Sequence, residues 1–380
     1  MIQRPIWEEK IRAAWLQAPV VWLSGVRRVG KTVLADSLKP DRFLNCDLPS
    51  SAERLRDPES FFRSVGKGVV VLDEVHQLPD PSRILKIAAD AFPGIRVLAT
   101  GSSTLAATRK FRDSLTGRKR SVHLVPVLAE EGPAFGVRDM EMRLQRGGLP
   151  PALLGAGREF YAEWLDSYFS RDVQELFRLA KRSEFLRFLE LVLRQSGGAL
   201  EVVSLAKHSG VSRPTVMAWL DILQVTHVAR LVRPYAEGGR REILGQPKLY
   251  GFDTGFVCHV RGWDSLRPED GGVLWEHLVL DTLAAAPAAR ILYWRDKQQR
   301  EIDFVVPGAR GVVHAVECKW RAEAWEPRNL AAFRANYPSG RNYVVSPEVQ
   351  TRYEQRRAGF AVIFLPVGEI RKEFSVGVSA

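Results

Sequence analysis

The chain has 380 residues, 46% of them hydrophobic and 26% charged, a balance that excludes a disordered or fibrous protein and a length that exceeds one ordinary domain. Lysine and arginine number 55 against 44 acidic residues, so the formal net charge is +11 and polyanionic partners are favoured. Three cysteines without a CxxC spacing argue against a disulfide scaffold, and no apolar run approaches the roughly 20 residues of a membrane span. We therefore expect a soluble, cytoplasmic protein of two or three domains with no membrane partner.

Short apolar runs alternate with helical lengths in the first third of the chain. The runs are VVWL (20–23), FLNCDL (43–48), VVVLDE (69–74) and IRVLATGSS (95–103). Runs that are short and apolar throughout are typical of buried parallel strands. The pattern predicts an α/β nucleotide-binding domain over residues 1–146.

A complete phosphate-binding motif, GVRRVGKT (25–32), follows the first run and precedes a helical stretch. Glycines let backbone N–H groups close around phosphates, and the helix N-terminus adds a positive dipole. Lys31 is expected to reach the β- and γ-phosphates, and Thr32 to offer a hydroxyl to Mg²⁺. The residues that we expect to contact ATP here are Gly25, Val26, Arg27, Arg28, Val29, Gly30, Lys31, Thr32 and Val33.

The run VVVL ends in Asp73 and Glu74. A buried strand that ends in this way delivers Asp73 to the metal ion and Glu74 toward an attacking water. The sequence therefore predicts ATP hydrolysis with Mg²⁺, with Lys31, Asp73 and Glu74 as catalytic residues.

Three further side chains have two interpretations each. Thr100 or Ser102, at the end of the next strand, can sense the γ-phosphate by hydrogen bonding, or can simply cap the next helix. Arg118 is a candidate catalytic arginine that contacts phosphate in its own subunit or in a neighbour's. The alternative is a basic cluster that faces solvent or nucleic acid.

Long helical periodicity replaces the strand pattern after a loop rich in glycine and proline, which predicts a helical connector over residues 147–195. Residues 196–245 then indicate a helix, a tight turn at Gly210, a second helix with Pro214 in its first turn, and two strands around a basic tip. This order predicts a winged helix-turn-helix.

Such a unit places its second helix in the major groove of DNA, while flanking basic residues contact phosphates. Residues 196–250 hold seven lysine and arginine residues against four acidic ones, and the wing tip is basic. Winged helices also serve as packing modules between domains, and that alternative stays open. The residues expected to face DNA are Lys207, Ser212, Arg213, Thr215, Arg240 and Arg241.

The last segment, residues 246–380, contains an ordered set of acidic residues. Glu276 lies in a helical stretch and Asp303 in a strand-like stretch, and the strand-like HAVECKW carries Glu317 and Lys319 on one face. Three carboxylates and a lysine can hold Mg²⁺ and activate water for phosphodiester cleavage. This is the constellation of the restriction-endonuclease-like fold, although an inactive relic or surface charges at strand ends would give the same pattern.

These residues carry a family resemblance. GVRRVGKT, VVVLDEVHQLP, LATGSS and LTGRKRSVHLVPVLAEE resemble the prokaryotic AAA-type ATPases of the archaeal-ATPase-related group, and PKLYGFDTGF, GGVLWEHLVL and VECKW are similar to the domain of unknown function that follows in that family. The resemblance implies an AAA-type ATPase core, a winged-helix middle and a restriction-endonuclease-like end. One departure is VPVLAEEGPAFG, where leucine and alanine replace the more aromatic or serine-containing stretch usual in the family, which leaves open a structural role for Glu130 or Glu131.

The leading hypothesis is an ATPase that acts on DNA, with hydrolysis coupled to the winged-helix and tail domains. A second hypothesis adds DNA cleavage by the tail. A third is a regulatory switch in which ATP controls protein association. A homo-oligomer is a candidate partner in each case, because Arg118 can act within its own subunit or across a subunit boundary.

Overall fold

The computed structural model describes residues 2–101, 109–174, 177, 179, 181–236, 245–286 and 290–374. None of the helices in these ranges combines the length and apolar character that a membrane crossing requires. The chain divides into two compact units. Unit 1 comprises Met1–Leu124, Ser167–Leu179 and Val225–Val228, and unit 2 comprises Val125–Asp166, Ala180–Gln224 and Ala229–Ala380. This division differs from the contiguous domains expected from sequence, because residues 125–146 group with unit 2 and two later segments group with unit 1.

Unit 1 is built on a five-stranded, all-parallel sheet with the order β2-β3-β4-β1-β5. The parallel strands expected in the first third of the chain are confirmed, and they are mainly buried except for β2, where only Leu44 is buried. The last strand was not predicted, because its sequence KRSVH is mostly polar. The strands are β1 (Val20–Ser24), β2 (Arg42–Asn45), β3 (Gly68–Asp73), β4 (Ile95–Thr100) and β5 (Lys119–His123).

Short helices connect these strands and cover the sheet. Asp57 and Asp80 begin two of them by accepting hydrogen bonds from backbone N–H groups three residues later, as N-cap residues do. Apolar side chains such as Trp22, Val70 and Val97 form the core beneath the helices. The elements are α1 (Pro5–Trp15), α2 (Lys31–Ser37), α3 (Pro49–Arg54), α4 (Pro58–Val65), the 3₁₀-helix Val75–Gln77, α5 (Pro81–Ala91), α6 (Arg109–Ser114) and the π-helix Phe169–Gln174.

The connector and the segment after it are mainly helical. A 3₁₀-helix (Ala129–Phe135) precedes α7 (Met140–Arg146), α8 (Pro150–Leu153), α9 (Glu159–Tyr168) and α10 (Arg182–Arg194). Glu131 accepts a hydrogen bond from the backbone N–H of Leu128 at 2.9 Å, and Glu130 forms an ion pair with Arg371 at 2.9 Å. Both glutamates that the sequence left open therefore make structural contacts.

The helix, turn and helix expected over residues 200–223 are present as α11 (Val202–Ser209) and α12 (Arg213–Val225), with Gly210 in the left-handed conformation between them. The small antiparallel sheet β6-β8-β7 accompanies them, formed by β6 (Gly198–Ala199), β7 (Ala229–Val232) and β8 (Lys248–Gly251). The second helix buries one apolar stripe, formed by Val216, Trp219, Leu220 and Leu223.

The rest of unit 2 is a mixed six-stranded sheet with the order β13-β14-β12-β11-β10-β9. Alternate residues of β10 enter two separate cores: Phe304 packs in the cluster that holds Trp275, and Val305 packs in the cluster that holds Phe333. The elements are α13 (Thr254–Arg261), α14 (Pro268–Ala284), β9 (Leu292–Arg295), β10 (Glu301–Pro307), β11 (Val313–Cys318), the 3₁₀-helix Ala322–Ala324, α15 (Pro327–Asn336), β12 (Asn342–Val345), β13 (Tyr353–Arg357), β14 (Phe360–Leu365) and α16 (Val367–Glu373).

Candidate nucleotide and carboxylate sites

The phosphate-binding motif forms the loop between β1 and α2. Two of its glycines are required by geometry. Gly25 has φ 149°, and a Cβ atom there would lie 2.5 Å from the carbonyl oxygen of Leu124. Gly30 has φ 99° and precedes the first residue of α2, a conformation that disfavours other residues. The loop therefore approaches the helix N-terminus as a phosphate site requires.

Lys31 is the first residue of α2, and its ammonium group donates to the carbonyl oxygens of Gly25 at 2.9 Å and Val26 at 3.2 Å. Burial lowers the pKa of Lys31, and the carboxylates of Glu74 and Asp172 oppose this shift. The lysine thus lies inside the loop, bonded to neutral oxygens.

Asp73, the last residue of β3, is buried and accepts two hydroxyl hydrogen bonds. The hydroxyl of Thr32 donates to Oδ2 at 2.9 Å, and the hydroxyl of Thr100 donates to Oδ1 at 2.5 Å. The Thr100 oxygen in turn accepts from the backbone N–H of Glu74 at 3.0 Å. Because parallel strands end at one edge, β3 and β4 bring these groups to the first turn of α2.

A cavity of about 250 Å³ lies at this edge, and Lys31 and Glu74 are among its lining residues. Glu74 has φ 55°, and its carboxylate lies 3.3 Å from Nδ1 of His76. The unusual backbone conformation directs the residue after the strand into the cavity wall, where sequence analysis expected it. His76 was not predicted.

The π-helix of unit 1 contributes two further lining residues that the sequence did not reveal, Arg171 and Asp172. The carboxylate of Asp172 lies 3.8 Å from the guanidinium of Arg27, which belongs to the phosphate-binding loop. Burial raises the pKa of Asp172, while Arg27 and Lys31 oppose the shift. π-helical turns are often found at functional sites.

Two expectations about this site need correction. Thr100 does not line the cavity: it is fully buried and its hydroxyl positions Asp73, so it is not placed to sense a phosphate. Arg118 precedes β5, whose first residue pairs with the first residue of β1, so it lies at the sheet edge opposite the loop. There it binds Asp90 at 2.5 and 3.1 Å, and contact with phosphate in its own chain is excluded by this position. Ser102 lies outside the described residues.

Of the other loop residues, Val26 and Val29 are buried, whereas Arg28 and Val33 are exposed. Arg28 has φ 59°, in the left-handed region. The loop therefore turns its arginines to different surroundings, with Arg27 toward Asp172 and Arg28 toward solvent.

The carboxylates expected in the last segment gather in unit 2, with one substitution in the set. Oxygens of Glu276, Glu301 and Asp303 all lie within 4.8 Å of one another, and this is the group among the described residues that can share one metal ion. Glu276 comes from α14, and the other two come from β10. Glu301 was not predicted.

Glu317 stands outside that group, which corrects the expected ligand set. Its carboxylate binds Lys319 at 3.1 Å and accepts from the indole of Trp325 at 3.0 Å. Burial raises the pKa of Glu317, and Lys319 opposes the shift. Lys319 also lies 3.8 Å from Asp303, whose carboxylate accepts the backbone N–H of Cys318 at 2.7 Å.

A second lysine, Lys248 of β8, was not predicted at this centre. Its ammonium lies 2.6 Å from Glu276 and 2.6 Å from Glu301, and the phenol of Tyr250 also donates to Glu276. Burial lowers the pKa of Lys248, but the nearby carboxylates of Glu276, Asp303 and Glu301 outweigh it and the net shift is upward. Burial raises the pKa of Glu276. The nearby carboxylate of Asp303 raises it further, and the ammonium of Lys248 opposes the shift.

Four residues expected to face DNA are described. Lys207, Ser212 and Arg213 are exposed, and Thr215 is partly buried. Ser212 and Thr215 share a hydroxyl hydrogen bond of 2.8 Å at the start of α12. Arg240 and Arg241 of the predicted wing lie outside the described residues.

The fold and the loop together define unit 1 as the AAA-type ATPase domain of this chain. Comparison with known families agrees, since residues 17–132 match the AAA domain family. Residues 137–267 match a domain of unknown function (DUF8612), and residues 271–367 match another (DUF4143).

Two curated relatives identify the family. The chain is 30% identical over 321 residues to the uncharacterized protein Rv2008c of Mycobacterium tuberculosis, which covers 80% of this chain and 71% of the relative. The uncharacterized protein Mb2031c of Mycobacterium bovis matches to the same extent. The chain belongs to the family of these proteins.

Solved structures resemble the chain more distantly. The Walker-type ATPase PABY2304 of Pyrococcus abyssi is 16% identical, with 69% of this chain and 96% of that chain covered and a TM-score of 0.46. Cdc6p of Pyrobaculum aerophilum is 12% identical, with 67% and 93% covered and a TM-score of 0.27.

Proposed function

We propose that the protein hydrolyses ATP at the unit 1 site and that hydrolysis controls how unit 2 engages DNA. The observation that carries the first half is the hydrogen-bonded series Thr32, Asp73 and Thr100 beside Lys31. It combines a phosphate loop with a fixed carboxylate, as nucleoside-triphosphate hydrolysis requires.

Each group has a role in this proposal. The loop N–H groups and Lys31 bind the phosphates, and Glu74 orients the attacking water from the cavity wall. The Thr32 hydroxyl and the Asp73 carboxylate are hard oxygen donors of the kind that Mg²⁺ prefers, so they fit the ion. When bound, Mg²⁺ neutralises charge that develops on the β- and γ-phosphate oxygens.

Action on DNA is supported by the net charge of +11 and by the helix pair α11 and α12 with its exposed Lys207, Ser212 and Arg213. In a helix-turn-helix the first residues of the second helix contact DNA, and the exposure of Ser212 and Arg213 at the start of α12 supports that role. Basic side chains at its start would bind phosphates and make binding depend on salt.

Cleavage of DNA by the tail is the second candidate function. It is favoured by the approach of Glu276 to Asp303 beside Lys319. Oxygen ligands and an adjacent lysine can hold Mg²⁺ and stabilise charge on a scissile phosphate.

ATP turnover measured alone and with single-stranded, duplex and branched DNA tests the main proposal. Lys31→Ala should abolish turnover, and the matched control Lys86→Ala, at an exposed lysine of α5, should not. DNA should stimulate the wild-type rate. If Lys31→Ala is inactive but no DNA changes the rate or binds at moderate salt, the DNA half of the proposal fails.

The second candidate is tested separately. Asp303→Ala and Lys319→Ala should remove Mg²⁺-dependent cleavage while ATP hydrolysis continues. Identical nicking by wild type and both variants would show a contaminating nuclease. An Arg118 contact across a boundary between copies remains part of the proposal; it predicts ATP-dependent assembly in sedimentation and slower turnover in Arg118→Ala.

A further inference from the structure

Lys248 occupies an unusual position for a buried lysine. Its side chain is 3% exposed, and its ammonium group lies 2.6 Å from a carboxylate oxygen of Glu276 and 2.6 Å from one of Glu301. These distances are those of charge-assisted hydrogen bonds. One ammonium therefore joins a residue of α14 to a residue of β10.

The two carboxylates that Lys248 joins are also members of the group that can share one metal ion. Glu276, Glu301 and Asp303 bring oxygens within 4.8 Å of one another, and two of these three residues already bind the same ammonium. A lysine ammonium and a divalent cation seek the same oxygen atoms. They cannot both bind the same carboxylate oxygens in full.

Other groups complete the contacts of these two glutamates. Glu301 also forms an ion pair with Arg295, and Glu276 accepts from the phenol of Tyr250. Each carboxylate is thus bound by protein groups without an ion. Removing only Lys248 would leave two partly buried carboxylates facing each other without the cation between them, a costly arrangement.

We infer that Lys248 is a tethered counter-ion that competes with divalent cations for Glu276 and Glu301 and so sets the metal affinity of this centre. The inference rests on the second candidate function only in taking Glu276 and Asp303 as cation ligands. It is independent of ATP hydrolysis. A divalent ion binds fully when the ammonium has moved away, so the centre holds its carboxylates together with or without metal.

The test is Mn²⁺ binding to the full chain by isothermal titration calorimetry without nucleotide. All proteins carry Asp73→Asn, so that the unit 1 site does not contribute. Lys248→Met should bind Mn²⁺ about tenfold or more tightly than the parent, because the competing charge is gone. The matched control Lys297→Met, at an exposed lysine of the turn after β9, should bind as the parent does.

Thermal unfolding gives a second measurement on the same proteins. The melting temperature of Lys248→Met should rise with Mn²⁺ or Mg²⁺ much more than that of the parent, and adding Glu301→Gln should remove that rise. If Lys248→Met folds only when Mn²⁺ is present, the metal has replaced the ammonium, and the inference is supported. If it cannot be recovered at all, Lys248→Gln decides, because the amide keeps hydrogen bonds and removes the charge.

Two results are contrary and differ in meaning. Equal Mn²⁺ affinity in the parent and in the folded Lys248 variants overturns the competition but leaves a metal site in place. Absence of Mn²⁺ binding in every protein, Lys248→Met included, overturns the inference together with the ligand assignment of the second candidate function. Neither result bears on ATP turnover, which is measured in its own assay.

Discussion

Lys31 of unit 1 is partly buried and Lys248 of unit 2 is buried, and their surroundings are opposite. Lys31 donates to two backbone carbonyl oxygens, and its pKa is lowered. Lys248 lies between two carboxylates, and its pKa is raised. The positive charge of a lysine held by neutral oxygens is available to an anionic ligand, whereas the charge of a lysine held by carboxylates is already balanced by them.

The same contrast applies to the acidic residues. In unit 1 Asp73 is bound by the hydroxyls of Thr32 and Thr100, which leave its negative charge available to a cation. In unit 2 Glu276 and Glu301 are bound by the ammonium of Lys248, which balances their negative charge. The first site is therefore arranged to receive charged ligands, and the second is arranged to be complete without one. Four variants test whether the two sites differ in this way.

The largest effect is expected from Asp73→Asn. An amide keeps the size of the side chain but removes the charge that would hold Mg²⁺, so the turnover number should fall by about 100-fold or more. Steady-state phosphate release measures it. Asp57→Asn is the matched control, because Asn replaces Asp well as the N-cap of α4. Turnover near the wild-type rate in Asp73→Asn would show that ATP hydrolysis does not need the charge of this carboxylate.

The pH dependence of unit 2 provides the next effect. Burial lowers the pKa of His277 to about 3, with Arg230 and Arg143 adding to the shift, from an ordinary value of 6.5. Between these pH values the imidazole of His277 is protonated in the unfolded chain but neutral in the folded chain. The free energy of unfolding therefore falls as the pH falls from 6.5 toward 3. Between pH 7 and pH 5 the wild type should lose about 2 kcal/mol that His277→Phe keeps.

Urea unfolding followed by tryptophan fluorescence at both pH values measures this difference. His208→Phe, at an exposed histidine of α11, is the control and should follow the wild type. Parallel losses in wild type and His277→Phe would mean that the buried imidazole is protonated in the folded state. The imidazole would then keep its proton despite burial, as Lys248 does between Glu276 and Glu301.

Much of the unit 1 site could be predicted from sequence, because its parts are local in the chain. The spacing of Gly25, Gly30 and Lys31 is set by one turn, and Asp73 is marked by the apolar strand before it. What could not be predicted depends on pairing over distance. Arg118 was assigned to the phosphate site from sequence, but the parallel register of β5 places it at the opposite edge of the sheet.

The unit 2 centre shows the same limit more strongly. Sequence order indicated Glu276 and Asp303, since an acidic residue in an apolar helix or strand is conspicuous. Lys248 and Glu301 carried no such signal, because a lysine or a glutamate as the first residue of a strand is an ordinary surface pattern. Only the approach of β8 to α14 and β10 makes them a set. Whether α11 and α12 bind DNA stays a prediction.

A smaller effect is expected from Thr100→Val. Valine keeps the shape of threonine but removes the hydroxyl that binds Asp73 and accepts the Glu74 N–H. Asp73 should then lose its orientation, and the turnover number should fall about tenfold with little change in KM for ATP. Thr100→Ser should restore the rate. An increase in KM alone would assign Thr100 to ATP binding instead, as the sequence first indicated.

The smallest effect tests how far the charge of Asp172 balances that of Lys31. Asp172 lines the cavity, and its charge opposes the lowered pKa of Lys31. Asp172→Asn should bind ATP about threefold more tightly in a fluorescence titration, because phosphate no longer meets a nearby anion. Asp166→Asn, at an exposed aspartate that pairs with Arg182, serves as the control. Weaker binding in Asp172→Asn would mean that the contact of Asp172 with Arg27 holds the phosphate-binding loop in the conformation that binds ATP. A carboxylate beside the lysine would then stabilise the site of unit 1, as Glu276 and Glu301 do beside Lys248 in unit 2.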